Sequence, residues 1–147
     1  MALITTWSKA NLHPWNFFLA NSNYIGTLGE LAVRKELLRQ DYKVYIPESD
    51  TAQVDLVIEL GNGSFKRVQV KTINNKPRGT AVEVRLKKYV NTDRVDVVAV
   101  YYRPKDIIAF VPYSNEKNFI LALETGKNNQ KKNRTWFYQY ERFPEFS

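Results

Sequence analysis

The chain has 147 residues, 44% of them hydrophobic and 14% aromatic, with 22 lysines and arginines against 15 acids, a formal net charge of +7 and a pI near 9.6. That size suits one globular domain spanning residues 1–147, and the charge is the kind of field that attracts a polyanion, nucleic acid first among them. There is no cysteine, which excludes disulfides, thiolate nucleophiles and cysteine-ligated metal sites; His13 stands alone; and neither a long apolar run nor a basic leader is present, so a soluble, cytoplasmic protein with no membrane partner is expected.

Residues 1–23 carry Trp7, Trp15, Phe17 and Phe18 at no sustained period, with Pro14 interrupting any helix, and read as an N-terminal extension packed on the core. From Tyr24 to Gln40 the chain lacks proline and is rich in helix formers, and Leu28, Leu31, Ala32 and Leu38 form one apolar stripe, which predicts a helix of about four turns. Gly26 and Gly29 would let this helix approach a sheet closely. Three strands are predicted next, over 42–46, 54–60 and 66–72, divided by Pro47 with Asp50 and by Gly61-Asn62-Gly63-Ser64. Alternating Val82, Val84 and Leu86, then 95–102 and 107–112, predict further sheet strands. The tail holds a basic polar loop, Gly126 to Arg134, and the aromatic run Trp136, Phe137, Tyr138 and Tyr140, expected in the core or at a subunit interface.

The strands around the glycine turn determine which side chains share a face. Val54, Leu56, Ile58 and Leu60 point one way, leaving Asp55, Val57 and Glu59 on the other; Val68 and Val70 are apolar, so Arg67, Gln69 and Lys71 lie opposite. Burying both apolar sets together requires paired residue numbers with an even sum, which a loop of Gly61-Asn62-Gly63 provides by pairing Leu60 with Ser64, with Gly63 left-handed. Asp55 then faces Gln69, and Lys71 lies one diagonal step away. An anion, an amide oxygen and an ammonium converge, as phosphodiester hydrolysis by a hard metal ion requires. The Val70 carbonyl is a further candidate ligand, and Glu30, on the helix side that carries Val33 and Leu37, is a candidate second carboxylate. Glu59 lies farther along the strand and is expected to be solvated.

Val54-Asp55-Leu56-Val57-Ile58, then Arg67-Val68-Gln69-Val70-Lys71-Thr72, preceded by Gly29-Glu30-Leu31-Ala32, resemble the PD-(D/E)XK nuclease superfamily, and within it the group I intron-associated homing endonucleases of cyanobacteria. The similarity runs through Asp96 to Tyr101, Phe110-Val111-Pro112 and Asn129-Gln130, so it covers roughly residues 24–142. It implies an α/β fold, a restriction-endonuclease-like mixed β-sheet core flanked by helices. It also implies a site in which Glu30, Asp55, Gln69 and Lys71 are catalytic: Asp55, Gln69, Val70 and Glu30 hold magnesium (Mg2+, with Mn2+ expected to substitute), and Lys71 acts at the nucleophile. Val54 replaces the motif's proline, and Gln69 replaces a carboxylate, as it does in the intron-associated relatives.

Taken singly, each of these residues reads as an ordinary surface group; element order, register and resemblance together favour the nuclease. One histidine cannot furnish an HNH site, and Tyr24-Ile25-Gly26 lacks the companion motif of a GIY-YIG enzyme. Asn74, Asn75, Arg78, Arg85, Lys87, Lys88, Lys127, Lys131, Lys132 and Arg134 are candidate DNA contacts. The expected activity is sequence-specific cleavage of double-stranded DNA by a homodimer or homotetramer, since one site cuts one strand. A Holliday-junction resolvase and an inactive DNA-binding protein are the alternatives.

Overall fold

The computed structural model describes residues 21–49, 53–126 and 131–147. The first twenty residues of the predicted extension, and Lys127 of the basic loop, lie outside the described residues. Helix α1 (Ser22–Arg39) starts where the Asn21 side chain accepts a hydrogen bond from Asn23 N at 3.0 Å, satisfying one of the free N–H groups of its first turn. Seven strands follow: β1 (Lys43–Tyr45), β2 (Leu56–Glu59), β3 (Phe65–Ile73), β4 (Ala81–Arg85), β5 (Val97–Tyr102), β6 (Ile107–Pro112) and β7 (Asn118–Ala122).

Five of these strands form a mixed sheet in the order β1-β2-β3-β5-β6, in which only β3 and β5 are parallel. Antiparallel neighbours can be joined by a short turn, whereas a parallel pair needs a crossover. Here the crossover contains β4 and the 3-10 turn Lys87–Tyr89. β4 leaves the main sheet and pairs antiparallel with β7, placing Val84 opposite Phe119. The alternation of Val82, Val84 and Leu86 is therefore a strand, but in a second, two-stranded sheet. Its partner β7 is not among the predicted strands, because Phe-Ile-Leu-Ala is a short unbroken apolar run with no alternation to mark it as a strand.

The main sheet is buried on both faces. On one, Val33 and Leu37 of α1 pack with Leu56, Ile58, Val68 and Val70; on the other, Val98, Val100 and Tyr102 pack with Val82, Val84 and Leu86 from the small sheet. β5 is buried along its whole length, consistent with its run of apolar residues.

The buried stripe of α1 is Gly29, Val33 and Leu37; of the predicted stripe, Ala32 packs against the core, whereas Leu28, Leu31 and Leu38 are 37%, 50% and 59% exposed. Close approach decides the face. A Cβ at Gly29 would overlap Thr72 Oγ1 of β3, so only glycine permits this contact, while Gly26 faces open space. The hairpin adopts the expected register: Leu56 pairs with Val68, Leu60 N donates to Ser64 O at 2.8 Å, and Gly63 takes φ of 81°. Of the aromatic run, Phe137 is buried in the core, whereas Tyr138 is exposed and stacks on Trp136.

Candidate active site

β2 begins at Leu56, one residue after Asp55, and this early end of the ladder builds the site. In a continued ladder Val70 N–H would donate to the carbonyl of residue 54. Instead it donates to Asp55 Oδ2 at 2.6 Å, so a side-chain carboxylate replaces a backbone acceptor. Gln69 Nε2 donates to the same oxygen at 2.5 Å and to the Val70 carbonyl at 3.3 Å. Three of the predicted residues are thus in mutual contact.

Gln69 is the one buried polar side chain among the described residues, 7% exposed. Its Oε1 is buried with no hydrogen-bond partner, although such an oxygen normally has one. The amide orientation follows from its neighbours: two oxygens, those of Asp55 and Val70, face it, and only the NH2 group can donate to both. The set consists of one carboxylate, one carbonyl and one amide whose orphan oxygen becomes available on a half-turn. These are hard oxygen donors of the type that hold magnesium or manganese. No cluster of three or more acids, histidines or cysteines that could hold a metal ion occurs among the described residues.

Lys71 lies on the same side of β3 as Gln69. Its Nζ donates to the hydroxyl of Tyr89 at 2.9 Å. Tyr89 belongs to the Lys87–Tyr89 turn and is 1% exposed. Nothing in the local pattern Leu86-Lys87-Lys88-Tyr89 marks this tyrosine as a site residue; the crossover brings it there. Glu30 is partly buried on α1, next to Gly29, which sits on Thr72. The side chains of Val70 and Thr72 point toward α1, and those of Gln69 and Lys71 toward the small sheet. Glu30 is thus carried on the element that covers one face of the sheet, and Lys71 projects from the other.

Beneath Gln69 on the same side, Arg67 and Asp96 form a bidentate ion pair, with Nε to Oδ2 at 2.9 Å and Nη2 to Oδ1 at 3.0 Å. Arg67 N also donates to Asp96 Oδ2 at 2.7 Å. Burial pushes the Asp96 carboxyl up, but the hydrogen bonds and charge of Arg67 outweigh it and hold the carboxyl below its ordinary range. Glu59 is not simply solvated: Tyr45 Oη donates to it at 2.6 Å and Lys43 Nζ at 3.3 Å, and these contacts hold its carboxyl low.

The candidate DNA contacts fall in three places. Asn74, Asn75 and Arg78 follow β3; Asn74 accepts a hydrogen bond from Arg103 Nη1 at 2.6 Å, and Asn75 and Arg78 are exposed. Arg85, Lys87 and Lys88 are exposed at the end of β4 and in the turn after it, with Arg85 paired to Glu83 at 3.2 Å. Lys131 and Lys132 are exposed, whereas Arg134 is partly buried and donates to Thr80 Oγ1 at 2.8 Å.

A family model described as PD-(D/E)XK endonuclease matches residues 20–143. Among solved structures, a bacterial homing endonuclease, I-Ssp6803I, is similar with a TM-score of 0.61 at 20% identity, over 82% of this chain and 86% of that one. The Holliday junction resolvase Hjc of Archaeoglobus fulgidus matches with a TM-score of 0.41 at 20% identity, over 66% of this chain and 83% of that one. No curated protein matches the sequence. At these identities the first likeness is one of fold, a restriction-endonuclease-like core, and the second adds nothing to it.

Proposed function

Because the chain belongs to the PD-(D/E)XK endonuclease family and is thereby a DNA-cleaving hydrolase, we propose that it cuts double-stranded DNA at specific sequences, as a homing-type enzyme using magnesium. The observation that carries the site is the convergence of the Asp55 carboxylate and the Val70 carbonyl on the Gln69 amide NH2, with the amide oxygen left buried and without a hydrogen-bond partner. The family generally works with divalent metal ions.

Asp55 supplies the charge that holds the cation, and Val70 C=O and Gln69 Oε1 supply neutral ligands once the amide turns. A bound divalent ion supplies Lewis acidity toward the scissile phosphate and lowers the pKa of the attacking water. Lys71 carries a positive charge on the same side as Gln69, where it orients that water and offsets charge gathering on the phosphate. Glu30 supports the metal or its water from α1. Asn74, Asn75, Arg78, Arg85, Lys87, Lys88, Lys131, Lys132 and Arg134 contact the duplex, mainly at phosphates. Two copies related by a two-fold axis bring two such sites to the two strands, in a dimer or a tetramer working in the cytoplasm. The homing assignment is supported by the resemblance that includes Gln69, together with the fold shared with a bacterial homing endonuclease.

The test is to incubate the protein and magnesium with genomic DNA of its source, spiked with a synthetic four-way junction, and to sequence all new ends, with Lys71→Ala as control. Ends at one or a few duplex sites, absent from the control, are expected. Cuts confined to the junction would replace homing with junction resolution, and binding without new ends would leave an inactive DNA-binding protein.

A further inference from the structure

Lysine is a poor reagent for holding a charge in one place: its stem has four rotatable bonds, and its ammonium has no preferred plane. A site that depends on where this charge stands needs something rigid to tether it. Lys71 Nζ lies 2.9 Å from the Tyr89 hydroxyl and 4.6 Å from the centroid of the ring. The ammonium therefore sits off the oxygen, beyond the ring edge, and the hydrogen bond determines its position more than attraction to the π face does.

Tyr89 is itself anchored from the backbone outward. Its N–H donates to Leu86 O at 2.9 Å, and its carbonyl accepts from Thr92 N at 3.3 Å and Thr92 Oγ1 at 2.8 Å. Its ring is 1% exposed, in the core cluster that includes Val84, Leu86, Val98 and Val100. Val98 and Val100 pair in register with Gln69 and Lys71, so the tyrosine is packed against the strand that flanks the site. A second cation, Lys88 Nζ, lies 5.2 Å from the same ring, near enough to feel it but without the oxygen contact.

We infer that Tyr89 is a positioning residue for the nuclease reaction: its phenol oxygen, immobilised by the core and by the Lys87–Tyr89 turn, fixes the Lys71 ammonium on the side of β3 that carries Gln69. The inference rests on the role of Lys71 proposed above. It makes the β3–β5 crossover part of the active site.

Tyr89→Phe keeps the ring and removes only the oxygen. Two readouts are taken on the full chain. Single-turnover cleavage should fall about ten- to a hundred-fold, the scale expected when a reacting group is misplaced by about 1 Å, with DNA affinity unchanged. Acylation of Lys71 by an amine-reactive ester, followed by peptide mass spectrometry, should quicken severalfold while Lys43 and Lys105 in the same sample keep their wild-type rates. Unchanged labelling of Lys71, or unchanged cleavage, overturns the assignment, as does faster labelling of all three lysines, which is general loosening. If the wild-type protein cuts no DNA, the proposed role of Lys71 fails, and the labelling still decides whether Tyr89 holds its ammonium.

Discussion

The NH2 group of Gln69 bridges Asp55 and Val70, donating to oxygens that would otherwise repel each other. In the metal site proposed above, the amide turned over would present Oε1 to the cation. Gln69→Glu adds the charge that the family motif usually carries, so divalent binding without DNA should tighten at least severalfold, measured by titration calorimetry with magnesium or manganese. The same change removes a donor and sets two carboxylates together, so the metal-free variant should lose about 1–3 kcal/mol by chemical denaturation, regained in part when metal is added. Equal stability with and without metal would detach Gln69 from the cation site. Asp55→Ala and Lys71→Ala should each abolish cleavage while leaving duplex binding largely intact. Binding lost in step with cleavage would make the pair structural.

Elements meet here through two contacts that can be tested separately. α1 lies on β3 because Gly29 has no side chain where Thr72 stands. Gly29→Ala should cost about 1–3 kcal/mol of stability, as overpacking does, and less in a Thr72→Ala background, which removes the clashing hydroxyl. Additive losses in the double variant would show that the two residues do not press on each other. The start of β3 is tied to the start of β5 by Arg67 and Asp96. The folded-state pKa of Asp96 lies below its unfolded value, so the stability it contributes is present above the unfolded carboxyl range and is lost as pH falls through the folded pKa. In an Asp96→Asn variant the decline of stability on acidification should be shallower than in the wild type, followed by urea denaturation at a series of pH values. Parallel curves would assign the acid limb to other carboxylates.

At the scale of the molecule, a net charge of +7 and exposed cations after β3 and β4 should make DNA binding strongly salt dependent. For duplex DNA the logarithm of affinity falls against the logarithm of salt by about 0.9 for each phosphate neutralised. Replacing Lys87 and Lys88 together by alanine should lower that slope by up to about 2 and weaken binding on all sequences alike. An unchanged slope in filter-binding or anisotropy titrations would place the phosphate track elsewhere. Both lysines immediately precede Tyr89, so the proposed duplex contact and the proposed tether of Lys71 would share one short turn.

Much of the site was legible before the fold because hairpin geometry is local. Side chains alternate with period two, the three residues of Gly61-Asn62-Gly63 admit one register that buries both apolar sets, and that register brings Asp55 to Gln69. By itself, then, the sequence determined the hairpin, the opposed pair Asp55 and Gln69, the side on which Lys71 leaves the strand, and the family motif. Only the tertiary structure decided which side of α1 is buried, that β4 pairs with β7 apart from the main sheet, and that Tyr89 receives Lys71. Apolar counting favoured Leu28, Leu31 and Leu38, but a helix face is selected by how closely backbones approach, and the residue that permitted the approach was a glycine. The β4–β7 pairing and the Lys71–Tyr89 contact join residues well separated along the chain, and such contacts depend on where a crossover returns, which no local periodicity records.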